Sequence, residues 1–328
     1  MPRISIIMPT YNAAAFVAET VQSVLGQSFG DFEFLAVDSA STDGTVEILR
    51  GTGDPRLEVI ALPFVCEAPI KRNLGFARAR GDYVALVDAD DIMMPDRLAR
   101  QLAFLEANPQ VHVLGSSYIT FEAGQPDKPV IQPAEDGLIK AHFLSVAGNA
   151  IHSPTVMMRR DFQQAHSLNF RVVRMGEGHR FWNDCMVAGA RFANITDPLL
   201  RYRKHGGSHV RQRQEAYRTG ATPIREELLT LFFPHLTRAE ARLVARLMER
   251  GREHEISELA TGITVIEKIT EFRNCAMGAD RGRVLRILGQ AHGRARDQLR
   301  RALGGGAGAG REDGRGDGAG QGGAGGQA

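Results

Sequence analysis

The chain has 328 residues, a formal net charge of +2 and a hydrophobic content of 43%, with a mean hydropathy of −0.21. This balance predicts a globular protein with a sizeable core, and the near-neutral charge excludes a field that would attract nucleic acid. No run approaches the roughly 20 apolar residues that span a bilayer, and residues 4–8 are too few for a secretory signal. Three widely spaced cysteines argue against a disulfide framework or a zinc site. We therefore expect a cytoplasmic protein.

Strands and helices alternate along the first 120 residues, which predicts an α/β fold with a mostly parallel sheet and helices on both faces. Short apolar runs predict strands at residues 4–8, 32–37, 57–60, 83–87 and 111–119. The predicted helices are one capped by Asn12 and reaching Leu25, one capped by Thr42 or Asp43 and reaching Arg50, one over residues 69–80 and one beginning near Pro95.

The pattern changes after about residue 120, which divides the chain into four predicted parts: residues 1–120, 121–208, 209–303 and 304–328. The second part opens with a predicted loop over residues 121–136 and then mixes short helices and strands. The third part is helical, without a clear strand. The fourth contains 13 glycines in 25 residues, and we predict that it is disordered because such a segment cannot bury a core.

Three carboxylates, Asp88, Asp90 and Asp91, directly follow the predicted strand at residues 83–87. In an open α/β sheet, ligands bind beyond the carboxyl ends of the strands. Carboxylates this close together repel each other unless a cation lies between them, and oxygen ligands suit Mg²⁺ or Mn²⁺. The cluster therefore indicates a divalent metal that holds a diphosphate; the alternative is a solvated acidic turn before the next helix.

Three other polar segments fall at strand ends or close before the acidic cluster. Residues 9–12 follow the first strand and offer backbone groups and an aromatic ring to a base, although an ordinary turn explains them as well. Asp38 follows the second strand, where helix capping does not explain it. In the helix before the acidic cluster, Arg72 is a candidate partner of a diphosphate, whereas Lys71 is better explained by a solvated helix face.

Together these segments resemble the inverting family 2 glycosyltransferases of the GT-A fold. The matching segments, in chain order, are residues 5–12, 37–45, 72–75, 87–91 and 94–98. The resemblance implies a nucleotide-sugar donor, usually UDP-linked, and one divalent cation, Mn²⁺ or Mg²⁺. It assigns base contacts to Thr10, Tyr11 and Asp38, the family's conserved cation to Arg72, and the DxD pair to Asp88 and Asp90, with Asp90 closest to the metal.

The second half matches the family less completely. Residues 151–160 resemble the strand at which the family's sheet resumes, and residues 199–208 resemble its YRxH segment. That segment implies His205 as a third metal ligand; the alternative is an exposed loop histidine. The resemblance thus makes residues 1–120 the nucleotide-sugar-binding half and residues 121–208 the acceptor and catalytic half, and it does not extend to the helical part.

The sequence departs from the family where the general base is expected. Gly178 stands where the family has an aspartate, directly after Glu177. Inversion needs a carboxylate that takes the proton of the acceptor hydroxyl. Glu177 is the nearest candidate, Asp184 lies two helical turns later, and His179 is a third option. The alternative is that Glu177 is structural and the chain binds nucleotide sugar without catalysis.

The resemblance therefore predicts a metal-dependent inverting glycosyltransferase with a saccharide or lipid-linked acceptor, as in polysaccharide biosynthesis. A nucleotidyltransferase would need a glycine-rich phosphate loop after the first strand, and residues 9–12 do not form one. Residues 281–301 contain seven arginines and one acid, which predicts a basic amphipathic helix. Such a helix either contacts an anionic membrane surface or packs its apolar stripe on the protein.

Overall fold

The computed structural model describes residues 1–144, 150–173, 176–206, 214–249, 251–271 and 280–304. Within the first half, strands and helices alternate as predicted, except that a short strand at Ile92–Met93, which was not predicted, directly follows the strand at Tyr83–Leu86. The elements are β1 Ile4–Thr10, α1 Val17–Leu25, β2 Phe32–Ser39, α2 Thr45–Gly51, β3 Leu57–Leu62, α3 Ala68–Arg78, β4 Tyr83–Leu86, β5 Ile92–Met93, α4 Arg97–Ala107 and β6 Val113–Phe121.

The second half begins with shorter elements and ends in long helices. The elements are β7 Lys128–Val130, α5 Asp136–His142, a 3-10 turn Ser153–Thr155, β8 Met157–Arg159, α6 Arg160–Ala165, α7 Glu177–Val187, β9 Phe192–Arg203, α8 Gln214–Phe232, α9 Arg238–Leu247, α10 Ile256–Glu271 and α11 Arg281–Gly304. The predicted tail after Gly304, residues 207–208 of the YRxH segment and Cys275 lie outside the described residues.

One curled sheet, with strand order β3-β2-β1-β4-β8-β6-β9-β5, organises the molecule, and β7 pairs with β6. Strands β3, β2, β1 and β4 are parallel neighbours, and β6 and β9 form a further parallel pair. Strand β8 joins the two groups through antiparallel pairing. The predicted α/β class, with a mostly parallel sheet and flanking helices, is confirmed.

Strand β1 is buried along its whole length, and its alternate residues serve two different cores. Ile4, Ile6 and Met8 lie in the core with α1 and α4, whereas Ile7 lies in the core with α3. Full burial of each such side chain contributes about 1.5–3 kcal/mol. Helix α3 approaches β1 closely at Gly75, where a Cβ atom would lie 2.4 Å from Ile7 Cγ2. This close packing brings the start of α3 to the carboxyl end of β1.

The four C-terminal helices share a core with α5 and α7. Their buried side chains include Leu228, Phe232, Val244, Ile266 and Leu288. We find no strand among the described residues from 214 to 304, in agreement with the helical prediction. None of the helices in the described part of the chain combines the length and the apolar character needed to cross a bilayer.

Three local predictions were wrong. Asn12 does not cap α1, which begins five residues later; its φ is +46°, and its Oδ1 accepts a hydrogen bond from the Thr42 N–H at 2.9 Å. The N-cap of α2 is Gly44, at φ +92°, because Asp43 lies one residue too early and accepts from the Thr45 N–H. The segment 121–136 is not only a loop, since β7 forms within it against β6.

Candidate active site

The carboxyl ends of β2, β1 and β4 meet at one edge of the sheet because the three strands are parallel. At this edge Thr10 pairs in register with Asp38, and the Thr10 hydroxyl donates to Asp38 Oδ1 at 2.9 Å. Asp38 is fully buried and also accepts from the Ser41 N–H at 2.9 Å. Its carboxylate therefore links the end of β1 to the loop after β2. The ring of Tyr11, the residue after Thr10, is 42% exposed.

Lys71 does not lie on a solvated helix face, and that interpretation was wrong. Its side chain is only 5% exposed, and its Nζ donates to the Thr10 carbonyl at 2.9 Å and to the Ser39 hydroxyl at 3.0 Å. The cause is the helical period, because Lys71 and Gly75 are four residues apart and share the face that packs on the sheet.

Arg72 lies between the acidic turn and the start of α7. Its side chain is 7% exposed, and its Nη2 donates to Asp88 Oδ1 at 3.0 Å. Its Nη1 lies 3.6 Å from Glu177 Oε1, and its guanidinium stands 5.2 Å from the Phe170 ring centroid. One buried cation thus joins the first aspartate of the DxD pair to the candidate general base.

The acidic turn after β4 contains two partly exposed carboxylates and one buried carboxylate. The side chains of Asp88 and Asp90 are 31% and 27% exposed, and His205 Nε2 lies 2.9 Å from Asp90 Oδ2. Burial raises the pKa of Asp90, the charge of Asp88 raises it further, and His205 opposes the shift. The histidine of the YRxH segment therefore lies in direct contact with Asp90.

Asp91 is structural, and a solvated turn does not describe it. It is fully buried, its Oδ1 accepts from the Arg203 N–H at 3.0 Å, and burial next to Asp90 and Asp88 raises its pKa well above the usual range. The Arg203 Nε donates to the Asp90 carbonyl at 2.8 Å. The end of strand β9 therefore holds the acidic turn in place through Arg203.

The donor atoms at this turn suit a cation that is shared with a phosphate-bearing ligand. Asp90 and His205 offer oxygen and nitrogen within contact of each other, and Asp88 adds a carboxylate on the same turn. In the described ranges, no three acidic, histidine or cysteine side chains are arranged as a complete metal cage. Mg²⁺-type ions are commonly held by one or two carboxylates, waters and substrate phosphates, so the residues present fit such an ion.

The three candidate bases have different surroundings. Glu177 is the first residue of α7, and its side chain is 35% exposed beside Arg72. Asp184 is paired with Arg171 at 3.1 Å and with Arg180 at 3.3 Å. His179 is buried, and its Nε2 lies 2.8 Å from the Phe143 carbonyl. Only Glu177 is brought next to Arg72 and the DxD turn, and the His179 option is not supported.

Gly178, which replaces the family's usual aspartate, lies so close to the Ser153 side chain that a side chain at position 178 would require Ser153 to move. An ideal Cβ atom there would lie 2.6 Å from the Ser153 hydroxyl oxygen. Ser153 belongs to the 3-10 turn that precedes β8. The departure from the family pattern is therefore accompanied by a hydroxyl in the space that a side chain at position 178 would enter.

Sequence reasoning missed two residues of this site. Arg203 fixes the acidic turn through the backbone, and no sequence signal shows a contact across 113 positions. Lys71 had a usable signal, because it lies four residues before Gly75, the glycine at the closest approach of helix and sheet.

The family model described as "Glycosyl transferase family 2" matches residues 5–166. A Bacillus subtilis relative, TuaG, whose name assigns it to teichuronic acid biosynthesis, is 31% identical over 205 residues, which are 62% of this chain and 79% of that protein.

Two solved structures have the same fold. One is TarS of S. aureus in complex with UDP-GlcNAc, with a TM-score of 0.61 and 18% identity over 93% of this chain and 92% of that chain. The other is a mannosyltransferase from Pyrobaculum calidifontis in complex with GDP-Man and Mn²⁺, with a TM-score of 0.54 and 19% identity over 95% of this chain and 76% of that chain.

Proposed function

This chain belongs to glycosyl transferase family 2 and is a glycosyltransferase, and from that premise we propose that it is a metal-dependent, inverting enzyme. The donor is a nucleotide sugar, most simply a UDP-sugar, and the acceptor is a saccharide or a lipid-linked saccharide in polysaccharide biosynthesis. The observation that carries the proposal is the position of Arg72 between Asp88 and Glu177, which brings the leaving-group side and the acceptor side of the reaction together.

The donor lies across the ends of β2, β1 and β4 in this proposal. Neighbouring strands are about 4.8 Å apart, so the three strand ends span a distance suited to a base at one end and a diphosphate at the other. Thr10, Tyr11 and Asp38 lie at the base end, and Arg72, Asp88 and Asp90 lie at the diphosphate end. The structures of TarS in complex with UDP-GlcNAc and of the mannosyltransferase in complex with GDP-Man support a donor of this class.

Asp88, Asp90 and His205 would hold the divalent cation. When bound, such an ion supplies positive charge that stabilises the departing diphosphate. Arg72 supplies a second, permanent positive charge at the same place, and its burial strengthens that interaction because little water surrounds it. The Mn²⁺ in the mannosyltransferase structure supports this type of ion.

Glu177 acts as the general base on the acceptor side. The acceptor oxygen attacks the anomeric carbon, and the bond from that carbon to the phosphate oxygen breaks with its electron pair going to the diphosphate. The hydroxyl proton passes to the Glu177 carboxylate. Glu177 is exposed enough to meet an acceptor, whereas Asp184 is held by two arginines.

A non-catalytic nucleotide-sugar-binding protein is the alternative, and the missing side chain at Gly178 is the observation that favours it. A donor assay separates the two proposals. We expect the wild-type protein to release UDP from a UDP-sugar in the presence of Mn²⁺, slowly with water and faster with an acceptor fraction, and to stop when the metal is chelated. Tight donor binding without any release of UDP would favour the alternative.

A further inference from the structure

We propose that Lys71 is a specificity-determining residue that donates a hydrogen bond to a carbonyl oxygen on the base of the donor nucleotide. The inference rests on the proposed function, because it presupposes that a nucleotide sugar lies across the strand ends. It adds the chemical class of the base, namely one with a carbonyl where cytosine and adenine carry an amino group.

The first observation is that one N–H donor of the Lys71 ammonium has no hydrogen-bond partner among the described residues. An ammonium group has three N–H donors. Within the described ranges, two of them have hydrogen-bond partners, the Thr10 carbonyl and the Ser39 hydroxyl. The side chain is only 5% exposed, so bulk water does not readily serve the third. A buried donor without a partner is unfavourable, and a ligand that brings an acceptor removes this cost.

The second observation is the place of Lys71 along the sheet edge. Its two partners are the last residues of β1 and β2, whereas the next residue, Arg72, contacts Asp88 beyond β4. The two adjacent cations therefore serve different parts of the proposed donor site. Arg72 lies at the diphosphate end, and Lys71 lies at the end that a base would occupy.

The third observation is the aromatic ring beside the ammonium. Lys71 Nζ lies 5.7 Å from the centroid of the Tyr11 ring, and that ring is 42% exposed. The ammonium lies over the face of that ring, so a base that contacts Tyr11 would come close to Lys71. Asp38 is also close enough for its negative charge to oppose the lowering of the Lys71 pKa that burial causes, so the group can remain an ammonium donor.

The donor character of Lys71 selects among bases. An ammonium has no acceptor, so it pairs with the 4-carbonyl of uracil and not with the 4-amino group of cytosine. The loss of one hydrogen bond to a charged group changes affinity by roughly ten- to a hundredfold. UDP and CDP have nearly the same size and differ at C4, a carbonyl or an amino group, and at the adjacent N3, which carries a hydrogen only in uracil. The part of the preference that is due to Lys71 is therefore the part that disappears when Lys71 is replaced.

Calorimetric titration of UDP and CDP in Mn²⁺ tests the inference. We expect wild type to prefer UDP by roughly ten- to a hundredfold, and Lys71→Met, which keeps the length of the side chain, to lose most of that preference. Lys128→Met, at an exposed lysine of β7, should behave as wild type. If Lys71→Met does not fold, Lys71→Gln is the substitute. Glutamine retains an N–H donor and adds an acceptor, so it should reduce the ratio of UDP affinity to CDP affinity.

Two results would overturn the inference while leaving the proposed function intact. Equal binding of UDP and CDP by wild type is one. The other is an equal loss of both affinities in the Lys71 variants with the preference unchanged, which would mean that Lys71 only fastens the ends of β1 and β2. Failure of wild type to bind any nucleoside diphosphate in Mn²⁺ would instead count against the proposed function.

Discussion

Arg72 places one buried guanidinium between two carboxylates that have different tasks in the proposed reaction. Asp88 lies 3.0 Å away on the donor side, and Glu177 lies 3.6 Å away on the acceptor side. The contact with Arg72 holds the Glu177 carboxylate close to the donor side of the proposed site. A diphosphate at Arg72 would compete with Glu177 for the same cation.

The role of Glu177 is tested by Glu177→Gln, which removes the base but keeps the size of the side chain. We expect transfer to fall by roughly 10²–10⁴-fold, the usual effect of losing a general base. Donor affinity should stay within about threefold of wild type, because the expected donor contacts are made by other residues. Steady-state transfer rates and calorimetry of the donor measure the two quantities.

Asp184→Asn is the matched control for this prediction. Asp184 forms ion pairs with Arg171 and Arg180. Its replacement should therefore lower the free energy of unfolding and leave the transfer rate largely unchanged. Transfer that survives in Glu177→Gln and disappears in Asp184→Asn would show that the wrong carboxylate has been assigned.

His179 predicts a specific pH dependence of stability. Burial lowers its pKa from 6.5 to about 4, so folding favours the neutral ring, with Nε2–H donating to the Phe143 carbonyl. The stabilisation is present above pH 6.5 and is lost as the pH falls towards 4, since the unfolded chain then binds the proton first. Between pH 7.5 and 5 we expect a loss of about 2 kcal/mol from this group.

His179→Gln keeps an N–H donor for Phe143 but cannot titrate. Its free energy of unfolding, measured with urea, should fall less steeply than that of wild type over this pH interval. The other histidines with lowered pKa are unchanged in the variant, so the difference between the two slopes belongs to position 179. Identical slopes would contradict the assignment.

At the scale of elements, patterns of apolar residues predicted the strands of the first half, whereas residues typical of helix caps did not predict where the helices begin. Every predicted strand of the first half forms, because a run such as residues 4–8 is apolar enough for burial on both faces. The cap of α1 failed because Asn12 forms a contact with Thr42 that is 30 residues away in sequence. Strand β7 was missed because it is only three residues long and its partner strand, β6, supplies the pairing.

The packing of α7 against the turn before β8 gives a prediction about Gly178. Gly178→Ala should destabilise the protein, since the new Cβ would lie 2.6 Å from the Ser153 hydroxyl oxygen. In a Ser153→Ala background the same substitution should be neutral or stabilising, because alanine favours a helix by about 1 kcal/mol over glycine. Urea unfolding of the four proteins gives the coupling energy, which we expect to be about 1 kcal/mol or more.

Additive effects at positions 153 and 178 would show that the Ser153 side chain rotates away without cost. The coupled result would also explain the missing aspartate, because the hydroxyl that excludes alanine excludes aspartate too. In that case the Ser153→Ala/Gly178→Asp variant is the way to return the family's carboxylate to this helix.

At the scale of the whole molecule, the sequence predicted the contacts around Arg72 and the acidic turn better than the surroundings of Glu177. Asp88, Asp90, Arg72 and His205 converge as the ordered motifs imply, because strand ends of a parallel sheet meet at one edge. The surroundings of Glu177 depend on packing between α7, the 3-10 turn and the C-terminal helices. Contacts between such distant segments leave no local pattern, so Ser153 and Arg203 could not be assigned from sequence.

Helix α11 limits how the molecule could meet a membrane. Its apolar stripe of Val284, Leu288 and Ala291 is buried in the core, so it is not available for insertion into lipid. The opposite face carries exposed arginines, among them Arg296 and Arg300. Any attraction to anionic lipid is therefore electrostatic, at about 1 kcal/mol per basic residue near the surface.

Vesicle flotation checks this expectation. We expect association with phosphatidylglycerol vesicles at low salt, none with phosphatidylcholine vesicles, and release at high salt. Replacing Arg296 and Arg300 by glutamate should remove the association without unfolding the protein, whereas truncation before α11 would also expose the core. Absence of flotation with anionic vesicles at low salt would exclude the contact.

The central claim is that Asp90 and His205 form part of a metal-dependent nucleotide-sugar site. Calorimetric titration of UDP into wild type, Asp90→Asn and the exposed control Asp197→Asn, each with Mn²⁺ and with chelator, tests it most directly. We expect wild type and Asp197→Asn to bind UDP at least about tenfold more tightly with Mn²⁺ than with chelator. Asp90→Asn should bind UDP weakly in both conditions. Equal affinity and equal Mn²⁺ dependence in wild type and Asp90→Asn would contradict it.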